Sequence, residues 1–161
     1  AIVRNPAGNG GVYAGTTEGF WMSANDDKTW GIKTQRELEV NSIAIHPEEP
    51  NKIYIATNNY GIMVSTDGGQ NFTAQNGNLT SRFMRKIIPD IERPNRFYAT
   101  TKNTATGGGF IFISDDGGQT WTPSTRNISV VRVAPLALLQ DKQNPEIIYV
   151  GTQQGLYRSI D

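Results

Sequence analysis

The chain repeats itself, and that constrains its fold more than any other feature. Four segments align: "VYAGTTEGFWMSANDDKTW", "IYIATNNYGIMVSTDGGQNF", "FYATTKNTATGGGFIFISDDGGQTW" and "IIYVGTQQGLYRSID". Their tyrosines are Tyr13, Tyr54, Tyr98 and Tyr149. Their turn serines, Ser23, Ser65, Ser114 and Ser159, are separated by 42, 49 and 45 residues. Pro50, Pro94 and Pro145 stand four residues before the last three tyrosines. Apolar pairs stand eleven and ten residues before each tyrosine: Ile2-Val3, Ile43-Ala44, Ile87-Ile88 and Leu138-Leu139. A self-similar period of this kind means that one supersecondary unit is stacked on copies of itself.

Each unit reads as four short strands, A to D. Strand A is the apolar stretch near "SIAIH", "RKIIPD" or "PLALLQ", and strand B is "KIYIAT" or "IIYVGT". Strand C is "GIMVS" or "FIFIS", and strand D starts at Trp30, Phe72 or Trp121. β-Branched and aromatic residues between turn residues favour strands over helices. Phe20-Trp21-Met22 and Ile111-Phe112-Ile113 are apolar at every position, which fits a sheet covered on both faces. Four strands in a period of roughly 40–50 residues make a propeller blade. The expectation is an all-β chain, a β-propeller of four-stranded antiparallel blades at about 1–34, 35–78, 79–128 and 129–161. Phe20, Ile62, Ile111 and Leu156 should then hold equivalent places in strand C. By this count three blades are complete and the fourth lacks strand D. The chain is therefore expected to be part of a larger ring, or to close against another polypeptide, and to associate when expressed alone.

Composition excludes several functions. Fifteen basic and fifteen acidic residues cancel, and no basic run is present, so no nucleic-acid partner is expected. The longest apolar stretch, "VVRVAPLALL", is short and broken by Arg132 and Pro135, so it offers no membrane span. The absence of cysteine removes disulfides and thiolate metal sites.

"STDGGQNF" and "SDDGGQTW" resemble the Asp-box, or BNR repeat, S-x-D-x-G-x-T-W. The fit runs through Ser65, Asp67, Gly69, Asn71 and Phe72, and through Ser114, Asp116, Gly118, Thr120 and Trp121. The first copy, "SANDDKTW", departs from it, with Asn25 in place of the Asp and Asp27 in place of the Gly. The fourth reaches only Asp161. The resemblance implies that the box forms the C-to-D turn on the rim, away from any active site. The chemistry agrees: a short carboxylate accepts N–H bonds within its own turn, and glycine tolerates positive φ there. Asp67 and Asp116 are accordingly read as fasteners. No metal is expected, because the acids are adjacent or isolated rather than spaced around one ion. No cofactor is expected either.

Propellers of this kind bind at the face carrying the B-to-C and D-to-A loops. Here those are "TTEG", "TNNYG", "TKNTATGGG" and "TQQG", with the connectors "KTQRELEVN", "AQNGNLTSRFMR" and "TPSTRNISVVR". Tyr60, Arg82, Arg85, Lys102 and Arg126 are the candidate partner-binding residues. "GGGFIF" has no helix pattern after it, so it is read as a hairpin and not a phosphate loop. His46, the only histidine, is placed at the surface or in the A-to-B turn, on the other face. "NFT", "NLT" and "NIS" are glycosylation sequons only in a secreting eukaryotic setting.

Asp-box propellers include sialidases, xyloglucan-cleaving glycosidases, sortilin-type receptors and photosystem II assembly or stability factors. A sialidase needs an arginine triad and an "R-I-P" motif, from which "VRNP" at Val3 to Pro6 departs. An ordinary glycosidase needs two facing carboxylates. Glu18, Glu37 and Glu39 lie on the loop face, but nothing pairs two of them. Read alone, the sequence favours a non-catalytic binding or assembly module for a protein or glycan partner, without assigned catalytic residues. The alternative is a piece of a secreted Asp-box glycoside hydrolase whose carboxylates lie largely elsewhere. The resemblance implies an extracytoplasmic setting.

Overall fold

The computed structural model describes residues 1–7, 11–23, 28–102, 111–124 and 135–159. Asn25, Asp27, Arg126, Asp161 and residues 103–110 of the long third B-to-C loop lie outside these residues. Fifteen strands and no helix are found among them, and none is a helix able to cross a membrane. The first sheet is β1 (Ile2–Arg4), β2 (Val12–Thr16), β3 (Gly19–Ser23) and β4 (Gly31–Ile32). The second is β5 (Val40–Ile45), β6 (Ile53–Thr57), β7 (Ile62–Ser65) and β8 (Thr73–Ala74). The third is β9 (Met84–Pro89), β10 (Phe97–Thr101), β11 (Ile111–Ser114) and β12 (Thr122–Pro123). The fourth is β13 (Pro135–Gln140), β14 (Ile148–Thr152) and β15 (Gly155–Ser159). Each is an antiparallel meander in chain order, as propeller blades are. Strand D begins one residue after Trp30, Phe72 and Trp121, at Gly31, Thr73 and Thr122.

Register repeats with the sequence. Tyr13, Tyr54, Tyr98 and Tyr149 stand opposite Val3, Ala44, Ile88 and Leu139 on one side. On the other they face Met22, Val64, Ile113 and Arg158. Phe20, Ile62, Ile111 and Leu156 are equivalent as expected, each opposite the residue two after the tyrosine.

The sheets stack consecutively, and every substantial contact between sheets joins neighbours in the chain. The tyrosine face of one sheet covers the opposite face of the next. Tyr13 and Phe20 lie on Val40, Ile43, Ile53 and Ile55. Ala44, Tyr54, Ile62 and Val64 lie on Met84, Ile87, Phe97 and Phe112. Tyr98 and Ile111 lie on Leu138, Ile148 and Val150. Each Val, Ile, Leu, Phe or Met among these, fully buried, stabilises the stack by roughly 1.5–3 kcal/mol.

Two recurring devices have no simple sequence signature. The first is a bulge at the start of strand A, where the register slips past Asn41, Arg85 and Leu136. Its side chains reach the next sheet: Asn41 Nδ2 donates to the Met84 carbonyl (2.8 Å) and Arg85 Nε to the Leu136 carbonyl (3.4 Å).

The second is a cap on the A-to-B turn. Asn5, His46, Asp90 and Asp141 occupy one position, each donating its N–H to the carbonyl six residues on. Their side chains accept N–H groups from the turn itself: Ala7 on Asn5, Glu92 and Arg93 on Asp90, Gln143 and Asn144 on Asp141. At His46 the acceptor is Nδ1, which takes the N–H of Glu48 (3.3 Å) and Glu49 (3.2 Å). His46 is 2% exposed, with its ring tilted against Phe97, so the surface placement is corrected. The turn needs an acceptor at that point, and here an imidazole nitrogen supplies it in place of a carboxylate or amide oxygen.

Candidate functional site

The loops divide into two sets. On one side the C-to-D boxes meet the A-to-B turns, with Gly68 N–H on the Asn51 carbonyl and Gly117 N–H on that of Asn95. On the other the B-to-C loops meet the D-to-A connectors, with Asn58 N–H on Glu39 and Gly61 N–H on Arg82.

The box side is held together by short bonds. Ser65 Oγ donates to Asp67 Oδ1 (2.7 Å) and accepts the Gly69 N–H (2.8 Å). Asp67 Oδ1 also accepts the N–H of Gln70 and Asn71, and Oδ2 accepts from Asn71 Nδ2. Those bonds, led by the Asn71 amide, hold the Asp67 carboxyl well below the usual carboxylate range. The second box repeats the plan: Ser114 Oγ donates to Asp116 and accepts from Gly118, while Asp116 accepts the N–H and hydroxyl of Thr120. Partial burial opposes ionisation of Asp116, but the Thr120 and Ser114 bonds outweigh it and lower its carboxyl. Trp121 Nε1 returns to the Gly118 carbonyl (3.0 Å). Gly118 has φ of +85°, and a Cβ there would sit 3.0 Å from Cε1 of Tyr54, whose hydroxyl donates to Gly117 O (2.9 Å). Phe72 meets Phe20 of the preceding sheet edge to face at 4.8 Å. Asp115 pairs with Arg96.

On the loop side, Thr16, Thr57 and Thr152 each donate a hydroxyl hydrogen to the glycine carbonyl that closes the B-to-C turn, Gly19, Gly61 or Gly155. The acids have separate partners. Glu18 pairs with Arg36 (3.1 Å), whose guanidinium lies over the Trp21 ring at 5.5 Å. Glu39 accepts from Lys102 Nζ (3.0 Å) and Asn58 Nδ2 (2.8 Å), a bridge from the second sheet to the third. Glu37 is exposed on the connector.

Of the residues expected to bind, Tyr60 and Arg82 come together: the Arg82 carbonyl accepts the N–H of Asn59 (3.1 Å) and of Gly61 (2.9 Å). Lys102 is engaged by Glu39, and Arg85 reaches toward the fourth sheet. Arg126 lies outside the described residues. Sequence reasoning missed Phe83, which bridges to Asn58 and exposes its ring beside this loop. No spacing in the sequence marks Phe83; the loop beside it does carry a signal, since "TNNYG" is one residue longer than "TTEG" or "TQQG". No group of three or more His, Asp or Glu side chains that would hold a metal occurs among the described residues.

The family model Sortilin-Vps10 (sortilin, neurotensin receptor 3) matches residues 18–155. A probable oligoxyloglucan-reducing end-specific xyloglucanase of Neosartorya fischeri is 26% identical across 99% of this chain and 22% of its own length. The crystal structure of an ancestral GH74 enzyme superposes with a TM-score of 0.80 at 25% identity, over 99% of this chain and 22% of that one. The structure of YCF48 bound to D1 peptide superposes with a TM-score of 0.62 at 12% identity, over 98% of this chain and 57% of that one. The chain thus spans about a fifth of the length of the xyloglucanase it matches.

Proposed function

The chain belongs to the Sortilin-Vps10 family, and from that premise we propose that it is a propeller segment of a glycoside hydrolase acting on xyloglucan or a related β-glucan. One observation carries this reading: likeness to a xyloglucanase runs through 99% of the chain, at 26% identity. The sequence read alone favours a non-catalytic module, and the relatives move the balance toward its alternative. In this reading the B-to-C and D-to-A loops face the glycan and the enzyme acts outside the cytoplasm. The four blades divide near residues 34, 78 and 128, and the Asp-boxes fasten the far rim without touching substrate.

The acids of this stretch agree with carboxylates that lie largely outside it. Glu18 and Glu39 are engaged by cations from different elements, so neither stands ready as the acid or base of a facing pair. This stretch then contributes glycan contacts, and the catalytic carboxylates belong to other parts of the enzyme. Reducing-sugar release from xyloglucan tests whether catalysis lies within this stretch. Binding of xyloglucan by the 161-residue chain without hydrolysis places the segment in the binding role. Hydrolysis that Glu18→Gln or Glu39→Gln abolishes places catalysis within it. Neither binding nor hydrolysis overturns the glycan reading.

A further inference from the structure

We infer that Tyr60 and Phe83 form a stacking platform for a pyranose ring of a neutral β-glucan, with Arg82 beside them as a hydrogen-bond donor to ring hydroxyls. The inference rests on the glycan reading above and assigns residues to it. Tyr60 is 47% exposed and Phe83 43%, in a fold that buries most of its aromatic surface. They belong to strands of chain that lie side by side, since Phe83 bridges to Asn58 and both Asn59 and Gly61 hang from the Arg82 carbonyl.

The loop that carries Tyr60 is built, not slack. Asn76 clamps it from the connector, its Oδ1 accepting the Ile62 N–H (2.9 Å) and its Nδ2 donating to the Tyr60 carbonyl (3.0 Å). The clamp leaves no room at Gly61, where a Cβ would meet Asn76 Oδ1 at 1.9 Å. Asn59 sits at φ of +88°, the sole non-glycine residue with positive φ among those described. Such backbone is costly and persists where the surroundings enforce it, often at binding sites. Here the loop has one residue more than its counterparts in the first and fourth repeats, and Tyr60 in it is exposed. Phe83 is held similarly, through its carbonyl on the Lys102 N–H (2.7 Å). Fixing the backbone that carries both rings before binding lowers the ordering cost of association.

The chemistry selects the ligand. A β-linked glucose unit presents its C–H bonds on its two flat faces and its hydroxyls around the edge. The faces are apolar surface for an aromatic ring, whose negative π-face favours the C–H hydrogens. The edge hydroxyls need donors and acceptors, and Arg82 supplies donors: Nη1 is on the Leu79 carbonyl (2.7 Å), and its guanidinium is at the surface. Nearby Glu39 and Lys102 neutralise each other, which suits an uncharged polymer better than an anionic one.

Calorimetric titration of the chain with a xyloglucan oligosaccharide and with a cello-oligosaccharide tests the platform. Tyr60→Ala and Phe83→Ala should each weaken binding about tenfold, the loss of one stacked ring. Tyr60→Phe should bind as the parent does, because the ring and not the hydroxyl is used. Trp30→Ala, an exposed aromatic of the box side, should leave affinity unchanged. Melting temperatures should match throughout. A parent chain that binds neither sugar overturns the glycan reading and the platform with it. A parent that binds, with Tyr60→Ala and Phe83→Ala binding equally well, overturns the platform and leaves the glycan reading standing.

Discussion

A single carboxylate in each complete box organises the whole C-to-D turn. Asp116 gathers the Thr120 N–H, the Thr120 hydroxyl and the Ser114 hydroxyl, and so brings Trp121 back over Gly118. Asp116→Ala should therefore cost about 1–3 kcal/mol, the penalty for leaving turn donors without their acceptor. Chemical denaturation followed by tryptophan fluorescence measures it, while affinity for xyloglucan oligosaccharide should hold. Unchanged stability together with lost binding would make the box a site. The box is legible in sequence because the bonds of its carboxylate and serine are local, made within seven residues of chain from Ser114 to Thr120. The cap at His46 is not. Asn5, His46, Asp90 and Asp141 share a position and a task, but only two of the four share a residue type, so alignment by identity passes over them.

At the scale of elements, Asp90 ties one sheet to the next. It is 1% exposed and accepts from the Tyr98 hydroxyl (2.7 Å), the Arg93 guanidinium (3.0 Å) and Gln140 Nε2 of the following sheet (3.0 Å). Burial by itself would raise its carboxyl. The bonds from Tyr98, from the N–H of Glu92 and from Arg93 outweigh burial and bring it from 3.8 down to about 2. Burial and the bond to Asp90 push the Tyr98 hydroxyl up to about 12, so it stays a donor at any ordinary pH. A carboxyl lowered by folding stabilises the ionised folded state. That contribution is complete above the unfolded value and disappears as pH falls from about 4 to about 2. Its size is on the order of 2 kcal/mol. Asp90→Asn should flatten the acid limb of stability by that amount, seen as a smaller loss of urea midpoint between neutral pH and the bottom of that window. An equally steep limb in the variant would assign the acid sensitivity to other groups. Pairing between sheets explains why such elements resist sequence reading. Tyr98 and its spacing from Pro94 are visible in the repeat, whereas Gln140 meets Asp90 only once the sheets stack. The bulges at Asn41, Arg85 and Leu136 are likewise defined by a partner strand. Arg85, chosen as a binding residue for its type and loop, consequently reaches from such a bulge toward the next sheet.

For the whole molecule, repetition predicts what each sheet face needs. The face carrying Tyr54 is covered by the third sheet, and that carrying Tyr98 by the fourth. The corresponding face of the fourth sheet sets Leu139 opposite Tyr149 and Leu156 opposite Gly151, and these leucines are 58% and 69% exposed. Ile2 is exposed on the first sheet. Apolar surface of this kind is found where another element packs, and the stacking rule of this chain makes that element a sheet of the same type. The 161-residue chain should consequently self-associate, with its average mass in sedimentation velocity rising with concentration. Leu139→Glu with Leu156→Glu should suppress the association without lowering the melting temperature, because neither side chain is packed within the chain. A parent chain that sediments as one monomeric species across the concentration range would refute this. The double variant also isolates function from assembly: Tyr60 and Phe83 lie on the loop side of the second and third sheets, away from this face. Their glycan affinity should be the same in the dispersed variant as in the parent.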